Sequence, residues 1–244
     1  MPFSPRLLSH VNPRFSLKLL RNSRHILFPN SAEAQPFRDY VESAGLEFTN
    51  QWADDNIPFL SPILGSALAQ RKVVNYLEVG VYEGRMLAFI HWFLGKRLEA
   101  TLIDPWCEPG VNSESKFLDV EHRFLRNLGR IDAKVEVLKG LSWRLLPELL
   151  EQGKGFDLIY LDGNHLAWAV YLDLCFCLSL LEPGGLIVID DYWRDRQHGH
   201  SCVKQAVDDV FRTFRDHLSV VAVYRQVVLR LERRIPTNPA LSAV

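Results

Sequence analysis

Little in this 244-residue chain points to a scaffold held by staples: it has only 4 Cys. Cys175 and Cys177 lie two apart in a helical pattern and face different ways, Cys107 and Cys202 stand alone, and no zinc-like pair is formed. Idle thiols of this kind fit a reducing, cytoplasmic setting. A long apolar run is also missing. No stretch approaches the roughly 18–20 residues that span a bilayer, and residues 1–35 lack the continuous apolar segment of a secretory signal. Net charge is almost absent, −1 from 28 Lys and Arg against 29 Asp and Glu, which argues against a dedicated nucleic-acid binder. What remains is globular composition, 48% hydrophobic with 14 Gly and 13 Pro, in a chain long enough for a large core.

The near-neutral charge averages two unlike parts. Residues 1–32 hold five basic residues (Arg6, Arg14, Lys18, Arg21, Arg24) and no acid, while the rest holds 23 basic against 29 acidic residues. The expected organisation is a basic N-terminal arm at 1–35, an aromatic lead-in with a helix at 36–72, a main domain at 73–235 and a loose tail at 236–244. A basic, Ser-containing start is compatible with an organelle transit peptide, with an arm that touches anionic surfaces, or with a plain extension. In the lead-in, the pattern suggests helices at 36–44 and 60–70 around a polar-aromatic loop at 48–59. No internal repeat is visible.

Past residue 72, β-rich apolar runs at 73–81, 100–104, 134–139, 156–162 and 185–191 alternate with helical patterns such as Met86, Leu87, Ile90, Phe93, Leu94 and Val203, Val207, Val210, Phe211, Phe214. Strand–helix alternation with continuous apolar strands predicts an α/β fold, a doubly wound, mostly parallel sheet. Two last strands, near 219–224 and 226–232, have only Arg225 between them, so they form a hairpin that makes one edge antiparallel and brings the sheet to seven strands.

Ligands of such sheets bind beyond the carboxyl ends of the strands. The first strand ends Tyr76-Leu77-Glu78-Val79-Gly80-Val81-Tyr82-Glu83-Gly84-Arg85. This is not the G-x-G-x-x-G of a dinucleotide site: a carboxylate stands where that motif needs glycine, and it suits a cationic or hydroxyl-rich ligand better than a pyrophosphate. The second strand ends at Asp104, about 20 residues past the glycine loop, where an acid can accept ribose hydroxyls. The third ends in a turn with Gly140 and Ser142, the fourth in Asp162-Gly163-Asn164-His165, the fifth in Asp190-Asp191. Three carboxylates (Asp162, Asp190, Asp191) converging on one crevice repel unless they hold a divalent cation such as Mg²⁺, cap a helix or pair with arginine. His165 beside them is a candidate general base or a solvated residue. Tyr82, Trp106, Trp193, His198 and His200 occupy loop positions from which a ring could pack a flat acceptor or simply fill core.

These motifs resemble the class I S-adenosylmethionine-dependent methyltransferases, in the branch of metal-dependent small-molecule O-methyltransferases that includes the catechol and macrolide-sugar enzymes. The resemblance covers about residues 46–232 and is strongest in Phe156 to His165 and in Leu181 to Tyr192 with its Pro183-Gly184-Gly185 turn. It implies a Rossmann-like methyltransferase fold and S-adenosylmethionine held by Glu78, Gly80, Tyr82, Gly84, Asp104, Gly140, Ser142 and Asp162. It further implies Mg²⁺ on Asp162, Asp190 and Asp191, His165 as base where catechol-type enzymes place a lysine, and a small hydroxylated acceptor. Asn164 departs from the acid that sugar-type relatives carry two positions past the first metal ligand. Relatives often use N-terminal segments for dimer contacts, so a homodimer is an expectation as well. Two alternatives stand beside this reading. A nicotinamide-dependent oxidoreductase shares the sheet and Asp104 but lacks its glycine fingerprint, and a non-catalytic methyltransferase-like protein would not need the three Asp positions.

Overall fold

The structure, a computed structural model, describes residues 34–106, 115–192, 202–223 and 225–235. Its elements are α1 (Gln35–Ser43), a 3₁₀ turn (Trp52–Asn56), α2 (Ile57–Leu68), β1 (Val74–Val79), α3 (Arg85–Leu94), a second 3₁₀ turn (Gly95–Arg97), β2 (Leu98–Asp104), α4 (Ser115–Leu128), β3 (Lys134–Lys139), α5 (Ser142–Glu151), β4 (Phe156–Leu161), α6 (Ala167–Leu180), β5 (Leu181–Ile189), α7 (Cys202–Phe214), β6 (Leu218–Val223) and β7 (Val227–Leu231). The strands form one seven-stranded sheet in the order β3-β2-β1-β4-β5-β7-β6. The first five are parallel, and β7 lies between β5 and the edge strand β6, antiparallel to both.

Period-two alternation divides the strand side chains between two cores. Tyr76, Ala100, Leu102, Leu158, Tyr160, Leu186 and Val188 face a cluster with α1, α2, α3 and α4. Leu77, Val79, Ile103, Ile159, Leu161, Ile187 and Ile189 face α5, α6 and α7. Burial on both faces is why these strands read as unbroken apolar runs. Crossovers from β1 to β3 use one face and those from β3 onward the other, so strand order reverses between β1 and β4, where a crevice opens at the carboxyl edge.

Three boundaries differ from the sequence reading. α2 starts at Ile57, with Pro58 in its first turn where a missing N–H costs nothing. Part of the stretch expected as loop is the 3₁₀ turn Trp52–Asn56, set by tertiary contacts. The Pro183-Gly184-Gly185 turn lies inside β5 as a bulge: Leu181 pairs with Phe156, Leu186 with Leu158, and 182–185 loop out between them. The tail from 236 and all but two residues of the arm lie outside the described residues. Cys175 and Cys177 are free, and burial pushes the Cys177 thiol well up. Among the described residues, no helix is long and apolar enough to cross a membrane.

The lead-in shares the main core. Phe37 of α1 packs edge-on to Phe89 at 5.7 Å and to Trp92 at 5.9 Å. Asp54 is gripped by Arg85 at 2.7 Å and faces Arg38 at 3.6 Å. Buried Glu83 accepts from the Thr49 amide (2.7 Å), the Thr49 hydroxyl (2.8 Å) and Arg123 (3.2 Å), which ties the lead-in to the loop after β1. Removing that carboxylate strands two donors and an arginine. Glu83→Ala is therefore expected to cost on the order of 2–4 kcal/mol. Urea denaturation checks this, and a loss within the error of extrapolation would show that the knot holds nothing.

Candidate functional site

Backbone strain concentrates at the carboxyl edge. Among the described residues, the non-glycine positions with positive φ are Tyr82 (54°), Trp106 (36°) and Asp191 (54°), just past β1, β2 and β5. Such conformations persist only where surroundings impose them. At β1 the imposing group is Asp104. Its Oδ2 accepts the Val81 amide at 2.7 Å and the Tyr82 amide at 2.9 Å, and its Oδ1 accepts the Trp106 amide at 2.7 Å. A carboxylate has about four acceptor sites, so Asp104 has room for one further hydroxyl rather than two. Burial raises its pKa, against those three backbone bonds.

Glycines at this edge serve close approach. Gly80 (φ 87°) donates to the Ile103 carbonyl at 2.9 Å, and a Cβ there would stand 2.0 Å from the Asp162 carbonyl oxygen. Gly84 (φ 80°) opens α3 beneath Phe124, 3.1 Å from where its Cβ would be. Gly140 donates to the Asp104 carbonyl at 3.1 Å, drawing the β3–α5 turn and Ser142 back across β2.

Under the crevice lies a buried polar layer on one face of the sheet. Glu78 is 1% exposed and accepts from the Tyr76 hydroxyl at 2.7 Å. Burial pushes its pKa well above the carboxylate range, and Asp162 and Asp104 push it further. Next to it the Tyr160 hydroxyl donates to Asp190 Oδ2 at 2.5 Å and accepts from Gln226 Nε2 at 2.7 Å. Tyr76, Tyr160 and Gln226 were not singled out in the sequence. The signal was there: Tyr76-Leu77-Glu78 and Tyr160-Leu161-Asp162 share one spacing, and a period of two puts each tyrosine on the face of its acid.

The structure gathers Asp162, His165 and Asp191, with one ligand atom of each within 4.8 Å of the others. His165 Nε2 lies 3.0 Å from Asp191 Oδ2 and 3.6 Å from Asp162 Oδ1, between the two rather than in line with either. Asp162 and Asp191 hold the His165 proton, raising its pKa to about 9 despite partial burial. Burial raises Asp162 to about 7, with Asp190 and Asp191 adding to the shift and His165 opposing it. Asp190 is placed apart from this group. Its Oδ2 is taken by Tyr160 and its Oδ1 by the Asp191 amide at 2.7 Å, so it braces the turn that presents Asp191. Tyr160→Phe should loosen that turn and cost about 1–2 kcal/mol, since it leaves buried Gln226 and Asp190 each short of a partner. Thermal unfolding measures this, and an unchanged midpoint would refute the bracing role.

The aromatic candidates separate. Trp106 turns inward, stacks on Phe124 at 4.6 Å and donates through Nε1 to the Tyr82 carbonyl at 2.8 Å, so it is core rather than acceptor wall. Tyr82 stays at the mouth with Trp52, which is 70% exposed, their rings 5.7 Å apart. Trp52 was not read as a site residue. Trp193, His198 and His200 lie outside the described residues.

Comparisons with known proteins bear on this edge. Residues 77–192 match the model of a family described as a methyltransferase domain. A 122-residue stretch is 27% identical to the uncharacterized protein R132 of Acanthamoeba polyphaga mimivirus and covers 49% of this chain and 52% of that one. The chain thus spans about half the length of this curated relative. Among solved structures, the O-methyltransferase from Bacillus cereus in complex with SAH has a TM-score of 0.56 at 15% identity, over 90% of this chain and 98% of that chain. MycE methyltransferase from the mycinamycin biosynthetic pathway, in complex with Mg, SAH and mycinamycin VI, has 0.55 at 18% identity, over 83% of this chain and 57% of that chain. Residues 77–192 thus match a methyltransferase-domain family model, and the chain shares the fold of these solved methyltransferases.

Proposed function

We propose that the protein transfers the methyl group of S-adenosylmethionine to a hydroxyl oxygen of a small acceptor (a sugar, a phenol or another natural-product hydroxyl), assisted by Mg²⁺. The observation that carries this is the acidic crevice itself. Burial raises the pKa of Glu78, Asp104, Asp162 and Asp190, and carboxylate neighbours add to the shift at each of them. Carboxylates crowded this way are eased by positive charge. A sulfonium and an ammonium near Glu78, and a divalent cation near Asp162 and Asp191, supply it.

The donor set suits such a cation, since two carboxylates converge with their atoms already within 4.8 Å. When bound, a hard divalent ion polarises an acceptor oxygen and neutralises Asp162 and Asp191. Positive charge held by Asp162 and Asp191 would weaken their hold on the His165 proton, and His165 would then take the acceptor's proton at Nε2. Asp104 fixes the loop after β1 and offers its last acceptor site to a ribose hydroxyl. Tyr82 and Trp52 form an apolar shelf beside the reacting centre. In the transfer, the methyl carbon's bond to sulfur breaks as its bond to oxygen forms. Holding the three atoms in line supplies most of the acceleration, up to about 7–11 kcal/mol.

The test starts with the purified protein: mass spectrometry for a co-purified S-adenosyl ligand, then thermal shifts with S-adenosylhomocysteine and with nicotinamide nucleotides. Methyl transfer to a panel of hydroxylated acceptors follows, with Mg²⁺ and with chelator. Stabilisation by nicotinamide nucleotide alone would overturn the cofactor reading. Transfer unaffected by chelator would remove the metal.

A further inference from the structure

α6 is the middle helix of the layer that covers one face of the sheet, with α5 on one side and α7 on the other. A helix in that place buries one stripe and shows water the opposite one, so its sequence should be amphipathic. α4 and α7 follow this rule, and α7 carries the ion pairs Lys204–Asp208 and Arg212–Asp209 along its length. α6 does not. From Ala167 to Leu180 it is apolar on all sides, and its single charged residue, Asp173, is turned inward at 1% exposure. What faces solvent is Trp168 (56% exposed) and Tyr171 (40%), with Leu166 (51%) just ahead of the helix. Leu172, Cys175 and Phe176 continue the surface, half-buried, further along. The Trp143 ring of α5 lies 5.6 Å from that of Trp168 and extends the surface sideways. None of these residues takes part in the proposed chemistry.

We infer that this face of α6 is an interface, and that its occupant is the same face of a second copy of the chain. Size, charge and extent select that occupant. The exposed parts of these side chains add up to on the order of 300–500 Å². A standard interface takes about 800 Å² from each partner, an apolar core inside a polar rim. The patch has the size of such a core, and α5 and α7 supply the rim. Those flanking helices carry both signs, Arg144 and Glu148 on α5 and Asp209 with Arg212 at 2.9 Å on α7. They therefore set up no field that gathers nucleic acid or an anionic lipid surface. A two-fold axis brings a patch against itself. A patch without charge meets no repulsion there and strips no ion of water. The patch also runs too far to be a wall of the candidate site. Trp168 to Phe176 spans about 12 Å along the helix, leading away from His165, whereas a small acceptor needs only the mouth.

Sedimentation velocity of the full chain from about 1 to about 100 μM tests this. The wild type should sediment as a dimer over the upper part of that range. Trp168→Glu combined with Tyr171→Glu sets like charges against one another across the two-fold, and should weaken association at least about 100-fold. Tyr171→Arg is measured in parallel. Both positions are exposed, and far-UV circular dichroism identifies the folded variants, either of which decides the matter. Leu125→Glu, at an exposed apolar position of α4, should leave the dimer intact, since α4 covers the opposite face of the sheet. A wild type that stays monomeric at the upper end overturns the inference, and flotation of that monomer with neutral phosphatidylcholine vesicles would assign the face to lipid. A dimer that survives charge on α6 in a folded variant overturns it too. One dissolved by Leu125→Glu and not by the α6 variants does the same, and puts the contact on α4.

Discussion

Gly80→Ala is expected to abolish the native fold or to cost at least about 4 kcal/mol. Two costs combine. A φ of 87° is left-handed territory that an L side chain enters at roughly 1–3 kcal/mol. The added Cβ would also stand 2.0 Å from the Asp162 carbonyl oxygen, 2.4 Å from its carbon and 2.7 Å from the Gly163 nitrogen. All three are backbone atoms, and they are locked. The Asp162 amide donates to the Val79 carbonyl at 2.8 Å, and the Asp190 amide to the Leu161 carbonyl at 3.0 Å. Relief therefore requires β4 to move away from β1 at the point where the loops after Glu78 and Asp162 meet. Chemical denaturation, or the soluble yield if the variant does not fold, measures the cost. A variant within 1 kcal/mol of wild type would mean that the two loops are not in contact. By contrast, Gly95→Ala meets nothing within 4 Å and pays only for its φ of 58°, so the pair separates steric from conformational cost.

How far the sequence discloses this depends on whether a feature is local. The strands β1, β2, β4 and β5 are legible because parallel strands covered on both faces must be apolar throughout, and the acids and glycines that break each run mark the sheet's carboxyl edge. The 3₁₀ turn at Trp52–Asn56 was not legible, since nothing periodic announces it; it exists because Arg85 holds Asp54 and because Asp55 meets Arg225 at 2.5 Å, 170 positions away. Asp190 and Asp191 look equivalent in sequence. Tyr160 on the neighbouring strand decides between them by taking Asp190, which leaves the strained Asp191 facing His165. Trp106 looks like a loop aromatic until φ 36° turns it onto Phe124. Asp173 sits within a helical apolar pattern, and only the fold shows that it lies beside Gly163 in the loop that carries Asp162. Single residues of a site were thus readable, and their division of labour was not.

In the proposed reaction His165 is the base. His165→Ala is expected to slow methyl transfer by on the order of 10²–10⁴-fold, the usual worth of a positioned base, with S-adenosylhomocysteine affinity little changed. The same substitution should alter the metal-free protein's dependence on pH. The folded pKa of His165 is about 9 against an ordinary 6.5, so the native state binds more protons than the unfolded chain between those values. Stability from this group is complete below about pH 6.5 and is lost as pH rises through about 9. The ring is 39% exposed, so solvent screening reduces the contribution to about 1–2 kcal/mol. Asp162 works in the same direction: its folded pKa of about 7 lies above the ordinary 3.8, so it ionises at a growing cost over that interval. Denaturation of chelated wild type and His165→Ala at pH 6 and pH 9.5 should give a gap of about 1–2 kcal/mol at the lower pH and almost none at the higher. An equal gap at both would show that the imidazolium does not bridge Asp162 and Asp191. Wild-type turnover in His165→Ala would remove it as the base. The two readouts are independent, because a charge that merely stabilises the empty site shifts the first and leaves the second alone.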